Sequence, residues 1–374
     1  MNPVKVLLVD DSLFMRTSLK KLLSVPEINI IDTASNGKEA VEKNLALNPD
    51  LILLDIEMPV MNGLTALKQI METNPVPVVM FSTLTQEGAD ETIEALSLGA
   101  VDFVPKQSAY FDTNTVKDDL INKIVSFGSN PFLRANLISK YKKGRTVVTP
   151  KPESLAQNLT QHIAASAKPV APKYQTDRKR PDPANIRLVT IGVSTGGPVA
   201  LQELIPHLNP NIPVPIVIIQ HMPPFFTETL ARRLAQMSKI KVKESEDGEP
   251  LLPGTVYIGK AGSQVIVTRR STIAHTHEPE NELFKPSVNV LVNSAVEVYK
   301  GHSVGIIMTG MGSDGCKGLT NLAAAGGYVI SQDIESCVVA GMTKAVIDAK
   351  IAHEIHPLRD LASVVSSLFG LSAI

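Results

Sequence analysis

Short runs of Val, Ile and Leu alternate with amphipathic stretches along most of this chain. A chain patterned this way folds into parallel sheets with helices on both faces. The runs fill Val4–Val9, Ile28–Thr33, Leu51–Asp55, Val78–Ser82 and Val101–Val104, with helical periodicity at Leu13–Leu23, Lys38–Leu47, Leu64–Glu72 and Glu91–Leu98 between them. Five such units predict one doubly wound sheet over residues 1–127, in strand order 2-1-3-4-5. The pattern resumes over 186–374 with runs at Leu188–Val193, Pro215–Gln220, Val304–Thr309 and Tyr328–Ser331. There a more polar block, Val242–Thr276, carries Pro253-Gly254 and Gly262-Ser263 turns, which predict hairpins inserted into a second, mostly parallel sheet. Residues 128–185 are expected to be a linker. Seven prolines between Pro131 and Pro183 and an excess of Lys and Arg leave little to bury, apart from one short helical periodicity at Leu155–Ala167.

Composition narrows the function classes. A net charge of −1 on 374 residues argues against a nucleic-acid-coating or membrane-surface protein. Two cysteines, Cys316 and Cys337, fit a reducing cytoplasm rather than a disulfide framework. No apolar run approaches the roughly 20 residues that a membrane span needs. A cytoplasmic protein without membrane insertion is expected.

In the first half, Asp10 and Asp11 end the first run and Asp55 ends the third. Strand order 2-1-3-4-5 makes these strands neighbours, so the three carboxylates converge at one sheet edge. Carboxylates this close repel unless a cation joins them, and a hard ion such as Mg²⁺ suits an oxygen ligand set. Asp55 could then attack a phosphoryl donor. Ser82, ending the fourth strand, offers a hydroxyl to a phosphate, and Lys106, after the fifth, offers a point charge. A lone strand-end Asp is more often a helix cap; five matched polar residues on four strands are not.

This half resembles the response-regulator receiver family along its whole length. The carrying segments are Val9-Asp10-Asp11-Ser12, Leu54-Asp55-Ile56-Glu57-Met58-Pro59, Asn62-Gly63, Ser82-Thr83 and Asp102-Phe103-Val104-Pro105-Lys106. The resemblance implies a flavodoxin-like (βα)5 fold, Asp55 as phospho-acceptor, Asp10 and Asp11 with Asp55 as Mg²⁺ ligands, and Ser82 and Phe103 as a switch pair. One departure is Gln107 after Lys106, where the family has Pro.

In the second half, Ile191-Gly192-Val193-Ser194-Thr195-Gly196-Gly197-Pro198 joins a strand to a helix through a glycine turn. That turn exposes Ser194 at the carboxyl edge of the sheet, beside the free N–H groups of a helix start. A nucleophilic serine needs a base, and His221 follows the strand Pro215–Gln220 to the same edge. A carboxylate should orient that base. Asp314, in the glycine-rich loop after Val304–Thr309, and Asp333, after Tyr328–Ser331, are the candidates; Asp314 fits better and Asp333 suits a loop cap. His275 and His277 lack a third metal ligand nearby. A dinucleotide site is disfavoured because Ser194 stands where the fingerprint needs glycine.

Residues 186–374 resemble the catalytic domain of the chemotaxis protein-glutamate methylesterase family. The resemblance rests on the Ser194 segment, Gln220-His221-Met222-Pro223, Phe226-Thr227, Arg232-Arg233-Leu234 and Lys285-Pro286-Ser287-Val288-Asn289. It continues through Thr309-Gly310-Met311-Gly312-Ser313-Asp314-Gly315, Gln332-Asp333 and Val338-Val339-Ala340-Gly341-Met342. It departs at Gly259-Lys260-Ala261-Gly262 and Thr343. It implies a Ser194–His221–Asp314 triad, with Thr195, Gly196 and Met311 lining the oxyanion site. It also implies hydrolysis of glutamate methyl esters and deamidation of glutamine on chemoreceptors, with no cofactor for that chemistry, and a chemotaxis histidine kinase as phosphodonor. A binding module that has lost catalysis is the rival, and the intact Ser, His and Asp speak against it.

Overall fold

The computed structural model describes residues 2–106, 114–142, 174–175 and 179–374. The first unit is a five-stranded sheet of β1 (Val4–Val9), β2 (Ile28–Ala34), β3 (Leu51–Asp55), β4 (Val78–Ser82) and β5 (Asp102–Pro105), ordered β2-β1-β3-β4-β5. All its pairings are parallel. Strands β3 and β4 are buried at every residue, as a sheet covered on both faces demands. Four covering helices, α1 (Leu13–Leu22), α2 (Gly37–Leu47), α3 (Gly63–Thr73) and α4 (Gln86–Leu98), are each opened by a side-chain cap, from Ser12, Asn36, Asn62 and Thr85 in turn. These caps satisfy N–H groups that a helix start cannot satisfy internally.

Helices α5 (Asn114–Gly128) and α6 (Pro131–Lys142) follow. α6 falls in the stretch expected as linker, yet it packs on the first unit. Leu137 is buried, Tyr141 Oη donates to the Leu98 carbonyl at 3.0 Å, and Arg134 reaches the Asn48 side chain at 2.6 Å. The Leu155–Ala167 periodicity and Gln107 lie outside the described residues.

The second unit is an eight-stranded sheet of β6 (Tyr174–Gln175), β7 (Leu188–Val193), β8 (Ile216–Gln220), β9 (Lys241–Glu244), β10 (Thr255–Ile258), β13 (Ser303–Ile307), β14 (Tyr328–Gln332) and β15 (Glu354–His356). Its order is β6-β15-β14-β13-β7-β8-β10-β9, parallel except where β6 pairs with β15. The Val242–Thr276 block differs from expectation. β9 and β10 pair parallel and extend the main sheet, while only β11 (Gln264–Val267) and β12 (Ile273–Thr276) form a hairpin, as a separate sheet. Turn signals mark where a chain reverses but not which strand it next pairs with. The helices are α7 (Gly197–Leu204), α8 (Phe226–Met237), α9 (Val288–Tyr299), α10 (Cys316–Ala324), α11 (Gly341–Asp348) and α12 (Leu358–Ser367).

Glu354 is buried between both ends of this unit. It accepts from Tyr328 Oη at 2.8 Å and from Arg180 Nη2 at 2.6 Å, and its Oε2 lies 2.7 Å from His356 Nε2. These partners hold its carboxyl at about 2 against the opposing effect of burial. Among the described residues, no helix is long and apolar enough to cross a membrane.

The two units pack together through α4 against α7 and α8. Gln86 Nε2 donates to Thr229 Oγ1 at 2.9 Å, Thr229 Oγ1 donates to Asp90 Oδ1 at 2.8 Å, and Arg232 pairs with Asp90. Phe103 of β5 stacks on Phe226 of α8.

Candidate active site and acidic pocket

The carboxyl ends of β1 and β3 bring Asp10, Asp11 and Asp55 together, with ligand oxygens within 4.8 Å of one another. Asp10 and Asp55 are each 1% exposed. Burial raises the carboxyl of Asp10 and pushes that of Asp55 up to about 7, although Lys106 opposes the shift. Lys106 Nζ lies 2.7 Å from Asp55 Oδ2 and 3.8 Å from Asp10 Oδ2. Even so, Asp55 Oδ1 is buried with no hydrogen-bond partner. Orphaned carboxylate oxygen beside two further carboxylates is what a small divalent cation would satisfy, so these residues fit Mg²⁺. Among the described residues, no other group of three or more possible ligands comes together. Ser82 is also buried, but its hydroxyl donates to the Gly88 carbonyl at 3.1 Å. Phe103 is 5% exposed, its ring turned toward the second unit.

In that unit, parallel strands β13, β7 and β8 carry the other candidates to one carboxyl edge. The Ser194 N–H donates to the Thr309 carbonyl at 3.0 Å, fixing the strand exit. Gly196 then turns the chain at φ +74°, where a Cβ would meet Val338 at 2.7 Å; only glycine adopts this turn without strain. Gly310 passes so close that a Cβ on it would lie 2.8 Å from Ser194 Cβ. The Gly310-Met311 segment therefore runs directly beside the serine.

His221 donates its own N–H to the Val193 carbonyl at 3.2 Å, which ties it to the Ser194 strand. Its Nε2 lies 2.8 Å from Asp314 Oδ2. Asp314 in turn accepts from the N–H groups of Val288 at 2.7 Å and Asn289 at 3.0 Å, at the start of α9. Ser287 Oγ and the Gly315 N–H complete its set, both at 2.9 Å. Burial would raise this carboxyl, but the His221 bond and the helix-start donors outweigh burial and hold it below the usual range. A carboxylate anchored by so many donors keeps Nε2 protonated. His221 Nδ1 is left buried with no hydrogen bond, and it is the nitrogen free to act as base.

Asp333 is spent elsewhere, accepting from the Ser336 N–H and hydroxyl, at 2.8 and 2.5 Å, as a loop cap. His275 bonds Ser245 Oγ at 2.9 Å. Among the N–H groups at the helix start, that of Gly197 is occupied by the Ser194 carbonyl at 2.8 Å. Thr195 and Gly196 lie in the turn between Ser194 and that helix, and Met311 follows Gly310 beside the serine. The sequence did not mark Phe284, whose ring stacks on His221; a loop phenylalanine carries no periodic signal.

Two families match this chain: response regulator receiver domain over residues 6–115 and CheB methylesterase over 189–365. A protein of Vibrio cholerae serotype O1 named protein-glutamate methylesterase/protein-glutamine glutaminase 1 is 39% identical over 383 residues, covering 99% of this chain and 100% of its own. A protein of Archaeoglobus fulgidus named protein-glutamate methylesterase/protein-glutamine glutaminase is 40% identical, with 97% of each chain covered. Among solved structures, the Thermotoga maritima CheB methylesterase catalytic domain is 39% identical, covering 48% of this chain and 97% of its own at a TM-score of 0.47. The response regulator domain of Thermotoga maritima CheB is 46% identical, covering 34% and 98% at a TM-score of 0.32.

Proposed function

Because this chain belongs to the receiver-bearing family of protein-glutamate methylesterases/protein-glutamine glutaminases, we propose that it removes methyl groups from glutamate esters of chemoreceptors, and amide nitrogen from their glutamines, under control of phosphorylation. Residues 1–127 act as the receiver and 186–374 as the hydrolase. The observation that carries the hydrolytic part is the 2.8 Å bond between His221 Nε2 and Asp314 Oδ2, which leaves Nδ1 as the basic nitrogen at the edge that holds Ser194.

Ser194 Oγ attacks the ester carbonyl carbon while His221 Nδ1 takes its proton. Negative charge on the carbonyl oxygen is met by the N–H groups of Thr195, Gly196 and Met311; one such donor is worth about 3 kcal/mol in known hydrolases. Collapse expels methanol, protonated by His221, and leaves an acyl-Ser194. Water deprotonated by His221 then attacks the acyl carbon and frees glutamate. With glutamine, ammonia leaves in place of methanol. Asp314 stays ionised throughout and stabilises the imidazolium as it forms.

In the receiver, Asp55 accepts a phosphoryl group from a chemotaxis histidine kinase, and Lys106 pairs with the charge. Asp10, Asp11 and Asp55 would hold Mg²⁺, which neutralises the transferring phosphoryl group. Control follows from where the receiver sits. Its α4 and Phe103 pack on α7 and α8, whose first residues directly follow the Ser194 turn and the His221 loop. Phosphorylation draws Ser82 toward Asp55, repacks Phe103 and loosens this contact, so that a receptor helix reaches Ser194. The enzyme acts in the cytoplasm.

The test is methanol release from methylated receptor, compared with Ser194→Ala. Release by wild type alone supports the triad; equal release by both removes Ser194 from the mechanism.

A further inference from the structure

The Phe284 ring lies flat against the His221 imidazole, with centroids 3.9 Å apart and planes 6° from parallel. The residue comes from the loop that precedes α9, and that loop is braced. Gln264, wholly buried, donates its Nε2–H to the Phe284 carbonyl at 2.8 Å and accepts the Ser287 N–H at 2.8 Å through Oε1. Ser287 Oγ donates to Asp314 Oδ1 at 2.9 Å. One buried amide thus ties the residue on the face of His221 to the residue that holds the partner of His221.

This arrangement does what the Asp314 bond alone cannot. A single Nε2···Oδ2 bond fixes one point of the imidazole and leaves the ring free to rotate about that line. The χ2 torsion of histidine is itself broad. A stacked face removes that rotation. The direction of Nδ1 is then set by two constraints, the carboxylate at one ring atom and the Phe284 plane along one whole face. The same contact shields that face from water. Bases placed about 1 Å out of line can lose roughly 100-fold in rate.

We propose that Phe284 is a positioning residue for His221: it sets the plane of the imidazole so that Nδ1 meets the Ser194 hydroxyl, with Gln264 as its brace. This rests on His221 acting as the base. Acting through the imidazole plane, Phe284 affects the chemical step when removed and leaves substrate binding alone. Methionine fills a similar volume without a rigid face, whereas tyrosine keeps the face.

The experiment measures kcat and KM of the full chain, with a small-molecule phosphodonor present, on methylated receptor and on a peptide bearing a glutamate methyl ester. The variants are Phe284→Met, Phe284→Tyr, Asp314→Asn and the double variant Phe284→Met/Asp314→Asn, with Ser194→Ala as the blank. Phe284→Met is expected to lower kcat by about 100-fold on both substrates at unchanged KM, and tyrosine to restore it. In the Asp314→Asn background the methionine change should cost far less, because a ring already unanchored has less to lose. A raised KM with unchanged kcat would make Phe284 a substrate contact and overturn the proposal. Wild-type kinetics in Phe284→Met would also overturn it. So would a kcat loss that tyrosine fails to rescue, or one that comes only with a lost melting transition. A Ser194→Ala chain as active as wild type would instead sink the underlying triad.

Discussion

Phe103 and Phe226 stack face to face across the two units, their centroids 4.6 Å apart and their planes parallel. One ring lies on β5, the edge strand of the receiver sheet, and the other opens the helix that follows the His221 loop. No local pattern links residues so far apart in sequence, and under the proposed control their contact is the path by which phosphorylation reaches the serine edge.

Replacing Phe103 with Leu should therefore raise the basal hydrolysis rate of the unphosphorylated chain. An aromatic pair contributes about 1 kcal/mol beyond its buried area, which is roughly fivefold in the balance between docked and released receiver. Initial rates on methylated receptor without phosphodonor check this. An unchanged rate would mean that the contact does not restrain the enzyme.

Asp314→Asn should leave the fold intact and lower kcat by about four orders of magnitude, since an amide favours the wrong imidazole tautomer. It also offers an NH₂ group to a cluster of donors: Ser287 Oγ and the N–H groups of Val288, Asn289 and Gly315. Asp333→Asn, which alters a loop cap on Ser336, should keep nearly full activity. Steady-state kinetics of the pair decide between them.

How much of this was legible beforehand differs by element. Buried parallel strands declare themselves as apolar runs, so Val78–Ser82 and Leu188–Val193 were readable without coordinates. The ends of such strands converge by topology, which is why Asp10, Asp55, Ser194 and His221 could be picked out. Side chains that meet through loops could not. The Phe284 stack, the partners of Glu354 and the docking of α6 each join distant segments with no periodic signature. The Val242–Thr276 block shows the same limit, since its turns were visible and the pairing of β9 and β10 was not.

Glu354 should make stability depend on pH. Its carboxyl is held at about 2, below the ordinary 4.5 of a glutamate. A depressed native value stabilises the fold fully above the unfolded value and loses that effect as pH falls through the native one. About 3 kcal/mol is therefore present at neutral pH and fades between roughly pH 4.5 and pH 2. Glu354→Gln should unfold more easily in urea at pH 7, by a similar amount, and match wild type near pH 2. A difference that did not shrink with acid would assign the effect to packing instead.

Chelating Mg²⁺ should abolish stimulation by a phosphodonor and leave basal hydrolysis unchanged, because among the described residues only the receiver carboxylates have ligand geometry. A basal rate that fell with chelation would place a metal in the hydrolytic step.

The most direct test of phosphorylation control over the Ser194 edge is the rate of methanol release from methylated receptor, with and without phosphodonor, for wild type and Asp55→Ala side by side. A phosphodonor should accelerate wild type and leave Asp55→Ala at its basal rate. Equal acceleration of both, or of neither, would contradict control of the serine edge through Asp55.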